Sequence, residues 1–132
     1  MADRRLISSG GPWEARYGYS RAVVVGGTCS VAGTTDAGPD GRSAHPGDPA
    51  AQTRAVLEII RRALEEAGFT LADVVRTRMY VTDRGNIPTV AEVHGEVFRD
   101  IRPASTALVV AALIEPSLLV EIEADAKRAP GS

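Results

Sequence analysis

Two alternating stretches carry charges of opposite sign to places where they can meet. From Val74 to Thr82, Val75, Thr77, Met79 and Val81 alternate with Arg76, Arg78, Tyr80 and Thr82. From Leu118 to Ala126, Val120, Ile122 and Ala124 alternate with Glu121 and Glu123. Successive strand side chains point to opposite faces. If the apolar sets face a core, Arg76, Arg78, Glu121 and Glu123 share the other face. A carboxylate held among arginines can move protons at a bound ligand. It can equally belong to a solvated sheet surface laced with weak ion pairs. Periodicity alone leaves both readings open.

Other candidates stand apart from this pair of strands. His94 sits beside Val93 in a helical apolar stripe, where a histidine is either packed or part of a site. Ser105 and Thr106 can donate hydrogen bonds to a ligand. Nucleophilic catalysis of the serine–histidine–acid kind would need these groups to approach in space. Cys29 lies within an apolar run and reads as buried and inert. Trp13, in Gly11-Pro12-Trp13-Glu14, either caps a cleft or anchors an N-terminal arm.

The elements that must position these residues follow from punctuation and period. Arg21–Gly26 and Thr28–Gly33 are short β-branched runs flanking Gly26-Gly27, as a hairpin requires. A Gly- and Pro-rich stretch, Thr35 to Gly47, has no period and reads as irregular. Asp48-Pro49 reads as an N-cap followed by a proline in the first helical turn. Val56, Ile59, Ile60, Ala63, Leu64 and Ala67 then form one helical stripe, which Gly68 ends. The Val74–Thr82 strand follows, then a helix over about Asn86–Arg99 with Val90, Val93, Val97 and Phe98 as its apolar set. Two strands, Ser105 to Leu113 and Leu118 to Ala126, close the chain across Glu115-Pro116.

The resulting order is β-β-α-β-α-β-β, an α+β class with both helices on one face of the sheet. An extra strand near Leu6 is a further possibility. The run Ala107-Leu-Val-Val-Ala-Ala-Leu is apolar on both sides, so part of the open face must be buried, and copies of the chain can bury it. The 132 residues fit one domain, with residues 1–17 as an N-terminal arm and 127–132 as a flexible tail.

A net charge of −2, from 15 basic and 17 acidic residues, offers nothing to a phosphate backbone or an anionic membrane. One cysteine excludes an intrachain disulfide and a cysteine-rich metal site. Met1-Ala2-Asp3-Arg4-Arg5 leads into no apolar stretch of signal-peptide length. The longest apolar run, Ala107 to Ile114, is far short of the roughly 20 residues of a membrane helix. A cytoplasmic protein with neither nucleic acid nor membrane as partner is the expectation.

Several segments together resemble the Rid family, also called the YjgF family, from about Gly18 to Ala126. They are Gly18-Tyr19-Ser20-Arg21-Ala22-Val23, Val31-Ala32-Gly33-Thr34, Gln52-Thr53 and Ala67-Gly68, then Asp73-Val74-Val75-Arg76-Thr77 and Val81-Thr82-Asp83. Arg102-Pro103-Ala104 and Val120-Glu121-Ile122-Glu123-Ala124 complete the set. Their order and spacing carry the likeness; no single piece does.

The resemblance implies a chorismate-mutase-like subunit that forms a homotrimer, with a central β-barrel, helices outside and small-molecule sites in the clefts between subunits. Active members hydrolyse enamines and imines such as 2-aminoacrylate to 2-keto acids and ammonia, without metal or organic cofactor. Residue by residue, Glu121 matches the ligand-site glutamate, whose alternative is a strand glutamate paired with Arg76 or Arg78. Tyr19 matches a tyrosine bordering the pocket, whose alternative is a packed hairpin aromatic. Gly33 falls in a matching segment and is carried over as a ligand-contacting position.

One departure bears on the substrate. Active deaminases read Pro-Ala-Arg-Ser/Thr, and the arginine grips a carboxylate through two parallel hydrogen bonds. Here the stretch is Pro103-Ala104-Ser105-Thr106. Arg102 precedes the proline and is no replacement. Arg78 is the candidate cation from a neighbouring strand, its alternative being an ion pair with Glu121 or Glu123. Three functions follow: an imine or enamine hydrolase on a substrate without the usual carboxylate, a non-catalytic metabolite-binding trimer, or a biosynthetic enzyme whose cleft is enlarged by small Ser105 and Ala91.

Overall fold

The computed structural model describes residues 3–129. Six strands form a single sheet: β1 (Arg4–Ile7), β2 (Ala22–Val25), β3 (Thr28–Thr34), β4 (Val74–Val81), β5 (Ala104–Val109) and β6 (Val120–Lys127). Their order across the sheet is β1-β2-β3-β6-β4-β5, and all pairs are antiparallel except β4 with β5. The parallel pair exists because a helix carries the chain from β4 back to the starting end of β5.

The helices are α1 (Trp13–Tyr17), α2 (Pro49–Glu66) and α3 (Ile87–Phe98). Asp48 caps α2, accepting from the Ala51 N–H at 3.0 Å, with Pro49 in the first turn as the sequence indicates. The buried face of α2 is Val56, Leu57, Ile60, Ala63 and Leu64, so it is rotated slightly from the expected stripe: Leu57 is buried and Ile59 only half-buried. These side chains and Val90, Val93 and Phe98 of α3 pack on Cys29, Val31, Met79, Val81, Val120, Ile122 and Ala124 of the sheet. At roughly 25 cal/mol per Å² of apolar surface removed from water, this one-sided layer is the main stabilising term. Cys29 is fully buried, as expected, and burial pushes its thiol pKa up.

The alternation on β6 holds throughout: Val120, Ile122, Ala124 and Ala126 are buried and Glu121, Glu123 and Asp125 face the other way. On β4 it needs one correction. A register shift between Val74 and Arg76 buries Val74 and leaves Val75 exposed, so Val75 does not share the face of Thr77 and Met79. A bulge adds a residue and changes which side the preceding side chain takes.

The N-terminal stretch read as an arm is partly ordered structure. β1 pairs with β2 at the sheet edge, which realises the extra strand near Leu6, and α1 follows. At the other end Lys127 closes β6 and the Arg128 N–H donates to the Gly27 carbonyl at 2.8 Å. Residues 130–132 of the expected tail lie outside the described residues.

β5 is shorter than its apolar run and forms the other sheet edge. The chain enters it through Arg102, a non-glycine residue at φ 58°, whose N–H donates to the Phe98 carbonyl at 2.8 Å. β5 and β6 are not neighbours, because β4 lies between them. In the single chain Leu108, Val109 and Ile114 are exposed, Ile114 at 92%.

Candidate functional site

The face without helices is organised by three cross-strand pairs between β4 and β6: Arg76 with Asp125, Arg78 with Glu123, and Tyr80 with Glu121. Arg78 Nη1 lies 3.4 Å from Glu123 Oε1 and 3.3 Å from Asp125 Oδ2. The Tyr80 hydroxyl donates to Glu123 at 2.7 Å, a bond that raises the tyrosine pKa. Arg78 and Tyr80 are thus both engaged by Glu123, and within one chain Arg78 is paired with Glu123 and Asp125 and not with Glu121.

Glu121 is left without a hydrogen bond among the described residues. Its half-buried carboxyl is pushed above the ordinary range by burial, against the pull of Arg21 and with a smaller push from Glu123. It leans over a bulge in β3. Val31 pairs with Ala124 and Thr34 with Ile122, so Ala32 and Gly33 together oppose the single residue Glu123. A Cβ on Gly33 would run into Glu121 Oε2 and stand 3.0 Å from its Cδ.

Arg21 completes this group. Its Nη2 donates to the Gly33 carbonyl at 2.7 Å, and its charge acts on Glu121, Glu14 and Tyr19. Burial of Glu14 would raise its pKa, but hydrogen bonds from Ser9, with Ser8 and the Arg21 charge, outweigh this and keep it lowered. Tyr19 follows the left-handed Gly18 that ends α1, its N–H bonded to the Glu14 carbonyl at 3.0 Å, and the residue is 47% exposed. Tyr19, Arg21, Gly33 and Glu121 therefore form one neighbourhood.

A cavity of about 830 Å³ opens on the same face. Tyr19, Arg78, Glu14, Glu123 and Asp125 line it, and Glu121 and Gly33 stand outside its lining.

The remaining candidates lie elsewhere. Ser105 pairs with Thr77 and turns toward the helix side, accepting from the Thr77 hydroxyl at 2.8 Å. Thr106 pairs with Arg78 and shares the open face. His94 Nε2 is 2.9 Å from Thr77 Oγ1, and its ring packs on Phe98 with centroids 4.6 Å apart. Burial lowers the His94 pKa. Within one chain, Ser105 and His94 are separated from Glu121 by the thickness of the sheet. Trp13 stacks on Tyr17 at 5.7 Å and is half exposed.

Sequence reasoning missed a site role for Arg21, which it named only as the start of a strand and within the matching Gly18–Val23 segment; its place two residues after Tyr19 was the available signal. It also left the Thr35–Gly47 stretch unstructured. There the buried Asp36 carboxylate accepts from the Ser43 hydroxyl at 2.8 Å and from the His45 N–H and Nδ1 at 3.1 Å. Buried Gln52 ties this loop to the one before β6, donating to the His45 and Ser117 carbonyls and accepting from the Leu119 N–H.

The family model described as Endoribonuclease L-PSP matches residues 12–128. The chain belongs to this family, the Rid or YjgF family. SCO2049 of Streptomyces coelicolor, an uncharacterized protein, is 36% identical over 94% of this chain and 92% of its own length. Rv2704 of Mycobacterium tuberculosis, described as a member of the YjgF/YER057c/UK114 family, superposes with a TM-score of 0.86 at 52% identity, over 96% of this chain and 100% of its own. YyfA of Yersinia pestis, described as a Rid-family protein of unknown function, reaches 0.81 at 30% identity over 96% and 100%. The helices-on-one-face Rid fold expected from the sequence is the fold observed. Among the described residues no group of three His, Cys, Asp or Glu side chains is placed to hold a metal ion, and no helix is long and apolar enough to cross a membrane.

Proposed function

We propose that this Rid-family chain hydrolyses an imine or enamine metabolite in clefts between three copies of itself, on a substrate without the usual carboxylate handle. The observation that carries this reading is the state of Glu121. It is half-buried, raised in pKa and, among the described residues, free of hydrogen bonds, while its neighbours Glu123 and Asp125 are paired. A carboxyl so placed is suited to exchange a proton with a bound ligand or water. Glu121 acts as general acid and base at the imine carbon, and Tyr19 places the water. Gly33 keeps the space beside Glu121 open, and Thr106 with Ser105 contacts the ligand from the β5 edge.

Placement supports the assembly. Ser105 and Glu121 lie on different faces in one chain, so a cleft lined by both takes them from different copies. The apolar β5 edge, with Leu108 and Val109 about half exposed, supports such an interface. Ser105 carries no charge, so the ligand group at that position is uncharged, whereas Arg78 is already neutralised by two carboxylates. The carboxylates lining the open cavity oppose a phosphate backbone, and so the ribonuclease name that some relatives carry is not extended to this chain.

The absence of an arginine at Ser105 favours a second reading, a metabolite-binding trimer without turnover. One experiment separates the two. The decay of enzymatically generated 2-iminopropionate is followed with the wild type, Ser105→Arg and Glu121→Ala. Acceleration by Ser105→Arg over a weak wild type, lost in a Ser105→Arg/Glu121→Ala double variant, supports the hydrolase with an altered substrate. Inertness of every variant in trimers that still form assigns the clefts to binding alone.

A further inference from the structure

Across the sheet from Glu121, three polar side chains form a hydrogen-bonded chain of their own. Thr77 Oγ1 lies 2.9 Å from His94 Nε2 and 2.8 Å from Ser105 Oγ. Thr77 is fully buried, His94 is half-buried against Phe98, and Ser105 is exposed on the edge strand. A threonine hydroxyl has one proton and two acceptor positions. Its proton points to Ser105 Oγ in this structure; rotation of both hydroxyls lets Thr77 give its proton to the ring nitrogen while taking one from Ser105. Burial disfavours the charged ring, so His94 is neutral at physiological pH and its nitrogen is available as an acceptor.

We infer that Ser105 is an activated nucleophile that accepts the acyl group of an activated carboxylic ester, with Thr77 relaying its proton to His94. A hydroxyl within reach of a base is the recurring arrangement for such chemistry; here one buried hydroxyl intervenes. In the step, a lone pair of Ser105 Oγ forms a bond to the ester carbonyl carbon. The Ser105 proton passes to Thr77 Oγ1 as the Thr77 proton passes to His94 Nε2. The bond to the leaving alcohol breaks, and the departing oxygen takes the electron pair and then the proton returned through the relay. The products are an acyl-serine and a free alcohol. No carboxylate among the described residues hydrogen-bonds the His94 ring, so the imidazolium is unsupported and acylation is slow compared with a full triad. This inference does not rest on the imine reading, which places its chemistry at Glu121.

The test uses the full-length protein and p-nitrophenyl acetate, with release of p-nitrophenol timed and the acetyl group located by peptide mass. The expected result is one acetyl group per chain on Ser105. Its rate should fall about a hundredfold in Thr77→Val and in His94→Gln and stay within a few-fold of wild type in Thr77→Ser, which restores the hydroxyl. Thermal melts of each variant report folding, and Thr77→Ser keeps the comparison valid if Thr77→Val proves unstable. Acetylation confined to other residues, or Ser105 labelling at the same rate in Thr77→Val, His94→Gln and wild type, overturns the inference and leaves Ser105 an ordinary edge serine.

Discussion

Gly33 and Glu121 compete for one volume: the carboxylate of Glu121 lies where a side chain on Gly33 would begin. The obstacle is the mobile end of a glutamate and not backbone, and Gly33 is not among the residues with positive φ. Gly33→Ala is therefore expected to fold with a stability change within about 1 kcal/mol and to push the Glu121 carboxylate aside. Any turnover that depends on Glu121 should drop with it. A structure of the variant shows the displacement, and an unmoved Glu121 would contradict this account of why glycine stands there.

Glu121 contributes a desolvated charge with no hydrogen bond to offset it. Glu121→Gln removes that charge and keeps the shape, so the thermal midpoint at pH 8 should hold or rise. Turnover of the imine substrate should fall by roughly a hundredfold or more, the usual weight of a general acid–base. A lower midpoint would mean that Glu121 is a structural partner after all.

Arg78 should behave in the opposite way. It bridges Glu123 and Asp125 while about a third exposed, so the pairs are partly screened. Arg78→Ala is expected to cost about 1 kcal/mol and to lower the midpoint by roughly 3–5 °C. A double-mutant cycle with Glu123→Ala should show positive coupling. Unchanged stability with weakened ligand binding would instead make Arg78 the ligand cation.

The pH dependence of stability has two opposing parts. Burial lowers His94, so the folded state binds its proton less tightly than the unfolded chain. The His94 contribution is full above about 6.5 and is lost as pH falls below that toward the depressed folded value. Glu121 is raised, so its cost is present at neutral pH and is relieved as pH falls through its folded value toward the ordinary 4.5. Urea midpoints between pH 5 and 8, sampled in about half-unit steps, should show His94→Gln flattening the fall below pH 6.5. Glu121→Gln should steepen the net fall on the acid side, because it removes the gain that opposes it.

Leu108 lies opposite Tyr80 on the open face and is 48% exposed in one chain. If copies meet there, Leu108→Glu places a charge in the interface and should shift light-scattering mass from three chains to one. An unchanged assembly would move the interface elsewhere.

Much of this was readable in the sequence because it depends on period. The β6 alternation sorted Glu121 and Glu123 from Val120, Ile122 and Ala124 without error, since each residue in a strand turns the next one over. Asp48-Pro49 fixed the start of α2 through local capping chemistry. Val75 was misplaced because a bulge shifts register without leaving a mark in the pattern. Arg78 was placed on the correct face with Glu123 among its two named partners, but its second partner, Asp125, was not foreseen, since pairing depends on which residues of a neighbouring strand stand opposite.

The sequence by itself determined the family, the α+β order, the face on which the charges lie and the lack of an arginine at Ser105, because all of these are properties of residue type and local repeat. Only the tertiary structure decided that Glu123 and Asp125 occupy Arg78, that Arg21 reaches Gly33 and acts on Glu121, and that Thr77 joins His94 to Ser105. These contacts join residues from different strands, helices and turns of the chain. Their geometry is set by strand order and register, which no local pattern encodes.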